Sequence, residues 1–147
     1  GLGLLTLLEI VSRSRLDHDP AGHASFSGVV SLERNGGFAS VRSPLLALGA
    51  PGATAYLLEV RGDSQRYKLN LRTDETFDGV SYQAAFVAPP AWTTIRLPLA
   101  EFRPGFRGRA VPDAPPLNPA RVRQVGLMIA DRQAGPFALA IRSFAAA

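Results

Sequence analysis

The sequence predicts an all-β protein, a β-sandwich of two antiparallel sheets in a jelly-roll arrangement. From residue 26 onward, apolar residues recur with a period of two in short segments separated by Gly, Pro, Asp or Asn, which is typical of half-buried strands. The 14 Gly and 12 Pro are too frequent and too evenly scattered for a helical bundle, and they mark many turns. We therefore expect about eight short strands in two packed sheets.

Length and composition are consistent with one domain. The 147 residues, 46% of them hydrophobic, are enough for one sizeable core and too few for two. We place the sandwich at residues 26–147. Residues 1–25 form an atypical N-terminal segment, in which residues 2–11 fit either a helical stripe or a buried strand and residues 12–25 are predicted to be polar loop.

The predicted strands follow the alternation of apolar and polar residues. Tyr56–Val60 and Tyr67–Leu71 flank Gly62 and Asp63, and they are predicted to pair as a hairpin with Asp63 accepting backbone hydrogen bonds in the turn. The other strands are predicted at residues 26–32, 38–42, 80–86, 92–97, 125–129 and 137–141, and the larger core side chains are predicted to be Phe38, Tyr67, Phe86, Trp92 and Phe137.

The proline-rich stretch between Ala100 and Pro119 is predicted to be a long loop, and a long loop without secondary structure usually has a function. Asn118 before Pro119 is predicted to cap a single helical turn. Guanidinium groups beside aromatic rings suit anionic ligands, sugars and protein hot spots, although the phenylalanines equally suit the open end of a core covered by arginine stems. The candidate partner-binding residues are Phe102, Arg103, Phe106, Arg107 and Arg109, with Asp131, Arg132 and Gln133 of the neighbouring predicted turn.

A second candidate surface lies on the polar side of the strand predicted at residues 67–71. Arg66, Lys68, Asn70 and Arg72 alternate with apolar residues, so they share one face. Such a face is most often simply solvated. The alternative is that Arg66, Lys68 and Gln83 form hydrogen bonds with sugar hydroxyls, although no aromatic platform is evident beside them.

Metal and covalent chemistry find little support in the sequence. The absence of Cys excludes disulfides, thiolate metal sites and a cysteine nucleophile. Both histidines, His18 and His23, lie near Asp17 and Asp19, but a loop offers metal ligands no rigid support. We predict no metal site and no cofactor.

Enzyme motifs are equally lacking. The chain has neither a Gly-x-Ser-x-Gly nucleophile elbow nor a phosphate-binding glycine loop. A glycosidase mechanism needs two carboxylates in one cleft, and Glu59, Asp63 and Asp131 are the candidates. A turn role for Asp63 and an ion pair for Asp131 are simpler interpretations, so we predict that the protein is not an enzyme.

The charge is mildly basic. Sixteen Lys+Arg against twelve Asp+Glu give a formal net charge of +4, without the single basic stripe typical of nucleic-acid binding. No apolar run approaches the ~20 residues of a membrane span. We predict a soluble protein without nucleic-acid binding or membrane insertion, in a bacterial cytoplasm or, for a eukaryotic source, in mitochondria.

Several segments, in order along the chain, resemble the NADH:ubiquinone oxidoreductase (complex I) intermediate-associated proteins. They are FSGVVSLERNGGFASVR at residues 26–42, RGDSQRYKL at 61–69, SYQAAF at 81–86, FRPGFRGRAV at 102–111 and VGLMIADRQAGPFALAI at 125–141. Motifs in a fixed order are more specific than any one of them. Residues 1–25 do not show the Asp-Gly-rich segment that family members usually carry there. The resemblance implies a galactose-binding-domain-like sandwich, related to some carbohydrate-binding modules, and an assembly-factor role.

Two functions therefore remain open. The first is a non-catalytic binding or assembly-factor module that recognises a protein partner through residues 102–111 and the turn at residues 131–133. The second is a carbohydrate-binding module that uses the polar sheet face. Exposed aromatic residues on a concave face would favour sugar, and an apolar patch around the arginine-rich loop would favour protein.

Overall fold

The protein is a sandwich of two antiparallel sheets, as predicted. The computed structural model describes the backbone of residues 9–11, 13–19, 23–30, 39–43, 45–74, 80–106, 109–129, 133 and 135–147, and the side chains from residue 24 onward within these ranges, with residues 29, 30 and 39 excepted.

The described residues form seven strands in the larger sheet and five in the smaller one. The larger sheet consists, in spatial order, of β1 (Glu9–Val11), β4 (Ala39–Arg42), β11 (Val122–Ile129), β6 (Arg66–Thr73), β7 (Ser81–Val87), β9 (Arg103–Phe106) and β10 (Arg109–Ala110). The smaller sheet consists of β2 (Arg13–Asp19), β3 (His23–Val30), β12 (Gly135–Ala146), β5 (Ala55–Arg61) and β8 (Thr93–Pro98).

Aromatic rings fill much of the core between the sheets. Tyr67 packs against Phe86 and Phe137, with ring centroids 6.1 Å and 6.5 Å apart. Tyr56 stacks on Phe144 at 5.5 Å, and its buried hydroxyl has no hydrogen-bond partner. Burial raises the pKa of Tyr56 to about 12. Tyr67, Phe86 and Phe137 are therefore core residues, as predicted, whereas Phe38 lies outside the described residues.

The loop predicted for residues 12–25 was wrong. β2 occupies Arg13–Asp19 and β3 begins at His23, so this segment contributes two strands to the smaller sheet. Within the described part of the chain, β2 pairs with β3 alone and forms an edge of the smaller sheet. An edge strand tolerates polar and charged residues, because one of its sides faces solvent rather than another strand.

The predicted hairpin between Tyr56–Val60 and Tyr67–Leu71 was also wrong. β5 belongs to the smaller sheet and β6 to the larger one, so the segment between them crosses from sheet to sheet. Gly62 permits this crossing, since a Cβ there would lie 2.3 Å from the Cβ of Ala88. The amide of Gly62 donates to the carbonyl of Pro89 at 2.7 Å, which ties the crossing to the chain after β7.

The proline-rich stretch is not a structureless loop. It contains β9 and β10, which pair as a short hairpin and extend the larger sheet beyond β7. From β3 onward the described residues form ten strands rather than the eight predicted. The predicted turn at Asn118 is confirmed: residues Pro119–Arg121 form a 3₁₀ turn, and the Asn118 side chain accepts from the amide of Ala120 at 3.0 Å.

Trp92 was predicted in the core and lies outside it. Ile95 and Leu97 of β8 are in register with the core residues Leu58 and Tyr56 of β5. Because strand residues alternate between faces, Trp92 has the outward phase, and its ring is half-buried.

Candidate functional site: the basic face of the larger sheet

The outward face of the larger sheet brings the polar candidates together. In β6, Tyr67, Leu69 and Leu71 are buried in the core, and the intervening side chains therefore lie on the opposite face, as predicted. Those intervening residues are Arg66, Lys68, Asn70 and Arg72.

The structure brings one residue of the predicted partner-binding segment, Arg103, onto the same face as the predicted sugar-binding set. Asn70 of β6 is in register with Gln83 of β7, and Gln83 is in register with Arg103 of β9. Registered side chains on neighbouring strands stand about 5 Å apart on the same face. Arg103 of the arginine-rich segment thus stands beside Gln83 of the predicted sugar-binding set.

Arg66 stands apart from that group. It is in register with Val87, four residues along β7 from Gln83, which corresponds to about 13 Å along a strand. Lys68 is in register with Ala85 and is a diagonal neighbour of Gln83. The structure therefore groups Lys68 with Gln83 and places Arg66 at the far end of the face.

The larger sheet has a strongly one-sided charge. Strands β4, β6, β7, β9, β10 and β11 carry seven Arg or Lys residues and no Asp or Glu. Glu9, on the edge strand β1 and in register with Arg42, is the one acidic residue on the described strands of this sheet. Five of the cationic side chains belong to the outward face: Arg42, Arg66, Lys68, Arg72 and Arg103.

A glycine lies in the middle of this face. Gly126 of β11 is in register with Arg42 on one side and with Asn70 on the other. A Cβ at this position would lie 2.7 Å from the carbonyl oxygen of Val41, so no larger residue fits without a shift of backbone. The face is therefore lowered between Arg42 and Asn70. The Oδ1 atom of Asn70 is buried beside it without a hydrogen-bond partner among the described residues.

The other predicted residues of the arginine-rich segment lie elsewhere. Phe102 is 5% exposed, and its ring meets that of Tyr56 edge-on at 5.8 Å, so it belongs to the core. Phe106 and Arg109 are in register with each other. They have the phase of Pro104, opposite to that of Arg103, and so lie on the other side of the β9–β10 ribbon. Arg107 lies outside the described residues.

Of the predicted turn residues 131–133, the described one is Gln133. Its side chain binds the backbone of Arg66 twice: Oε1 accepts from the amide at 3.1 Å, and Nε2 donates to the carbonyl at 2.9 Å. Gln133 thus joins the segment between β11 and β12 to the start of β6. Asp131 and Arg132 lie outside the described residues.

Asp63 has the turn role that its sequence setting predicts. Its carboxylate accepts from the amide of Ala138 at 2.9 Å, from the hydroxyl of Tyr67 at 2.9 Å and from Gln65. Partial burial opposes ionisation, but the hydrogen bonds from Ala138, Tyr67 and Gln65 hold the pKa of Asp63 below its usual value. Burial, and then the bond to Asp63, raise the pKa of Tyr67.

The candidate carboxylates do not form a catalytic pair among the described residues. Glu59 makes an ion pair with Arg142 on the smaller sheet, Asp63 is saturated with donors, and Asp131 is outside the described part of the chain. In that part, no group of three or more His, Cys, Asp or Glu residues is placed to hold a metal ion. The described helical segments also include none long and apolar enough to cross a membrane.

Sequence reasoning did not find Arg42 or the position of Arg103. Arg42 has the outward phase because Val41 is buried, but this places it on the basic face only once β4 is known to neighbour β11. β9 is only four residues long, so its alternation is hard to recognise in the sequence. Its pairing with β7, which puts Arg103 beside Gln83, is known only from the strand order.

These features define a galactose-binding-domain-like β-sandwich. The family model for complex I intermediate-associated protein 30 (CIA30) matches residues 11–141. The chain belongs to the CIA30 family, which confirms the resemblance found in its motifs. No curated protein matches the sequence.

The solved structures of similar fold include carbohydrate-binding modules. A family 11 module from Clostridium thermocellum, in complex with a β-1,3-1,4-mixed-linked tetrasaccharide, has a TM-score of 0.61 at 14% identity, over 92% of this chain and 83% of that one. A family 30 carbohydrate-binding module has a TM-score of 0.61 at 12% identity, over 96% and 87%. The agarase AgWH50C matches at a TM-score of 0.61 and 11% identity, over 92% of this chain and 22% of that one. These likenesses show the fold.

Proposed function

We propose that this domain is a non-catalytic binding module of the assembly-factor type, which holds a protein partner on the outward face of its larger sheet. The surface is centred on Lys68, Gln83 and Arg103, and the β9–β10 ribbon forms one rim. The observation that carries the proposal is the charge of this sheet, because five of its seven described strands contain Arg or Lys and no Asp or Glu.

The side-chain types on the face support a protein partner. Guanidinium groups form paired hydrogen bonds with carboxylates, and Arg is enriched at interface hot spots. Among the described residues, the face also carries Met128, Ala85 and Val87 beside its cations, and Val87 is 49% exposed. A mixture of arginines with small apolar patches matches the composition of protein interfaces.

Membership of the CIA30 family supports the same class of function. Assembly factors act by binding other proteins rather than by chemistry. The described carboxylates Glu59 and Asp63 each hold structural partners, which agrees with a non-catalytic role.

Carbohydrate binding on the same face is the second candidate. The paired amides of Asn70 and Gln83, flanked by Lys68 and Arg103, offer donors and acceptors suited to sugar hydroxyls. Modules of the same fold bind sugars. Against this candidate, Tyr67, Tyr82 and Phe86 of β6 and β7 all point into the core, so the outward side of these strands offers no aromatic ring for a sugar to stack on.

The test is capture of a partner by a purified domain with an intact or an altered face. The Lys68→Gln/Arg103→Gln variant removes two cations at the centre of the proposed surface. Arg96→Gln removes one exposed cation from β8 of the smaller sheet, on the opposite side of the sandwich, and serves as the matched control. Proteins captured from a lysate of the source cells are identified, and the strongest candidate is purified and titrated against each variant.

The proposal predicts that the wild type and Arg96→Gln bind the purified candidate equally. The double variant binds at least about tenfold more weakly, since hydrogen bonds to charged groups are lost. Equal binding by the double variant would refute the proposed surface. A glycan array run in parallel decides the second candidate, because selective sugar binding that depends on Lys68 and Arg103, with no protein partner, would replace the proposal.

A further inference from the structure

Trp92 forms a cluster with two arginines on the outward face of the smaller sheet. The Cζ atom of Arg61 lies 4.9 Å from the centroid of the indole, and that of Arg142 lies 4.3 Å from it. Arg142 also makes an ion pair with Glu59 through Nε and Nη2. This Trp92 cluster, made of Glu59, Arg61, Trp92 and Arg142, is on the opposite side of the sandwich from the basic face.

The backbone around the cluster is held in place. The close approach of Gly62 to Ala88 allows three hydrogen bonds between the β5–β6 crossing and the chain after β7, which join Gly62 to Pro89, Ser64 to Ala88 and Ala88 to Gln65. Trp92 follows three residues after Pro89, and Arg61 directly precedes Gly62. These bonds therefore bring the indole beside Arg61.

Arg142 reaches the indole because of a bulge in β12. The register with β5 shifts between Ile141 and Ser143, so Arg142 is the extra residue of the bulged strand. A bulge turns a side chain away from the regular alternation. The Glu59 carboxylate then fixes the Arg142 guanidinium by a charge-assisted contact.

Arg142 has a carboxylate partner, whereas Arg61 has none among the described residues. Arg61 is exposed, and within the described part of the chain the indole is its one side-chain partner. Stacking occupies the flat face of a guanidinium and leaves the N–H groups at its edge able to donate. Among the described residues, the cluster has two arginines and one carboxylate, so it carries an excess positive charge that favours an anion beside Arg61.

We propose that the Trp92 cluster is a second docking surface, which takes an acidic segment of a protein and holds a carboxylate of that segment at the edge of Arg61. Trp and Arg are the residue types most enriched at interface hot spots, and the fixed backbone means that little ordering is needed on binding. This surface is separate from the proposed partner face. A domain with both surfaces can join two protein segments.

Trp92 itself reports on the test, because it is the only Trp in the chain. The purified domain is titrated with an end-blocked peptide of glutamate residues at low ionic strength, and the emission of Trp92 is followed. A peptide of glutamine residues of equal length is the neutral control. Arg61→Gln removes the proposed anion-binding group. Arg96→Gln removes an exposed arginine of β8, four residues along the chain from Trp92, and serves as the matched control.

The proposal predicts a saturable change in Trp92 emission with the glutamate peptide and none with the glutamine peptide. Arg61→Gln weakens the response about tenfold or more, whereas Arg96→Gln leaves it unchanged. Circular dichroism and thermal unfolding confirm that each variant is folded.

Three outcomes would overturn the inference. They are the absence of a saturable emission change, an unchanged affinity in a folded Arg61→Gln variant, or an equal loss in Arg61→Gln and Arg96→Gln. Glutamate-peptide binding that calorimetry detects and Trp92 does not report would place the peptide on the basic face instead. That result would leave the proposed function standing while it refutes the second surface.

Discussion

The side-chain amide of Gln133 pairs with the backbone of Arg66 as a neighbouring strand would, with one hydrogen bond accepted at 3.1 Å and one donated at 2.9 Å. The sequence analysis named both residues as candidates for a binding site, but their contact with each other stabilises the fold. It fixes the backbone of the first residue of β6, where the chain arrives from the smaller sheet. The Gln65 side chain strengthens the same junction by donating to the carbonyl of Pro136 at 3.3 Å.

We expect Gln133→Ala to lower the free energy of unfolding by about 1–2 kcal/mol, because two hydrogen bonds to backbone groups are lost. Partner binding is expected to stay the same. Gln83→Ala is the matched control for stability, because it removes a glutamine whose side chain donates to the Ser81 hydroxyl on the basic face and, among the described residues, not to backbone. Chemical denaturation measures the free energy of unfolding of both variants. A Gln133→Ala variant as stable as the wild type would show that the two hydrogen bonds between Gln133 and Arg66 contribute nothing to stability.

Asp63 predicts how stability depends on pH. Its pKa in the folded protein is below the ordinary value of 3.8, so as the pH falls the unfolded chain takes up the proton first. The stability that the Asp63 carboxylate provides is therefore complete above that ordinary value and is lost as the pH falls through the lowered pKa.

Asp63→Asn is expected to cost about 1–2 kcal/mol at neutral pH. Its difference from the wild type should shrink as the pH is lowered below the usual pKa of the carboxyl. Unfolding curves recorded across the acidic range test this, and a difference that is independent of pH would contradict the role of the ionised carboxylate.

Two phenylalanines of the arginine-rich segment are expected to behave differently. Phe102→Ala removes a buried ring that packs against Tyr56, and we expect a loss of about 3–4 kcal/mol of stability. Phe106 is half-buried on the edge ribbon, so Phe106→Ala should cost markedly less. Equal losses in thermal unfolding would mean that both rings belong to the core.

Gly62 is expected to tolerate no side chain. Gly62→Ala would place a Cβ 2.3 Å from that of Ala88, which forces the β5–β6 crossing away from the chain after β7. We expect lower stability and a changed Trp92 emission spectrum, because Trp92 loses its position beside Arg61. The double variant Gly62→Ala/Ala88→Gly removes the clashing atom and should recover much of the stability. A lack of recovery would assign the effect to another contact.

Alternation within long strands was enough to predict the sandwich and the two sides of β6. Tyr67, Leu69 and Leu71 are core residues with cations opposite, as the period of two indicates. Trp92 was wrongly predicted in the core because alternation was not applied to it: Ile95 and Leu97 pack on the core, so Trp92 has the outward phase. Alternation also missed β2, whose edge position removes the apolar pattern.

The candidate site was predictable only in parts. Lys68 and Gln83 could be found from the sequence, but their union with Arg103 and Arg42 depends on the strand order, which brings residues from β4, β7 and β9 to one face. The bulge that aims Arg142 at Trp92 is likewise a matter of pairing between β12 and β5. Sequence periodicity carries no information about such neighbours.

The binding role of the larger sheet is tested most directly by the affinity of the purified partner for the Lys68→Gln/Arg103→Gln domain, beside the wild type and Arg96→Gln. We predict that the double variant binds at least about tenfold more weakly, that Arg96→Gln binds like the wild type, and that all three unfold at similar temperatures. Equal affinity of all three folded domains would contradict the claim that the basic face of the larger sheet holds the partner.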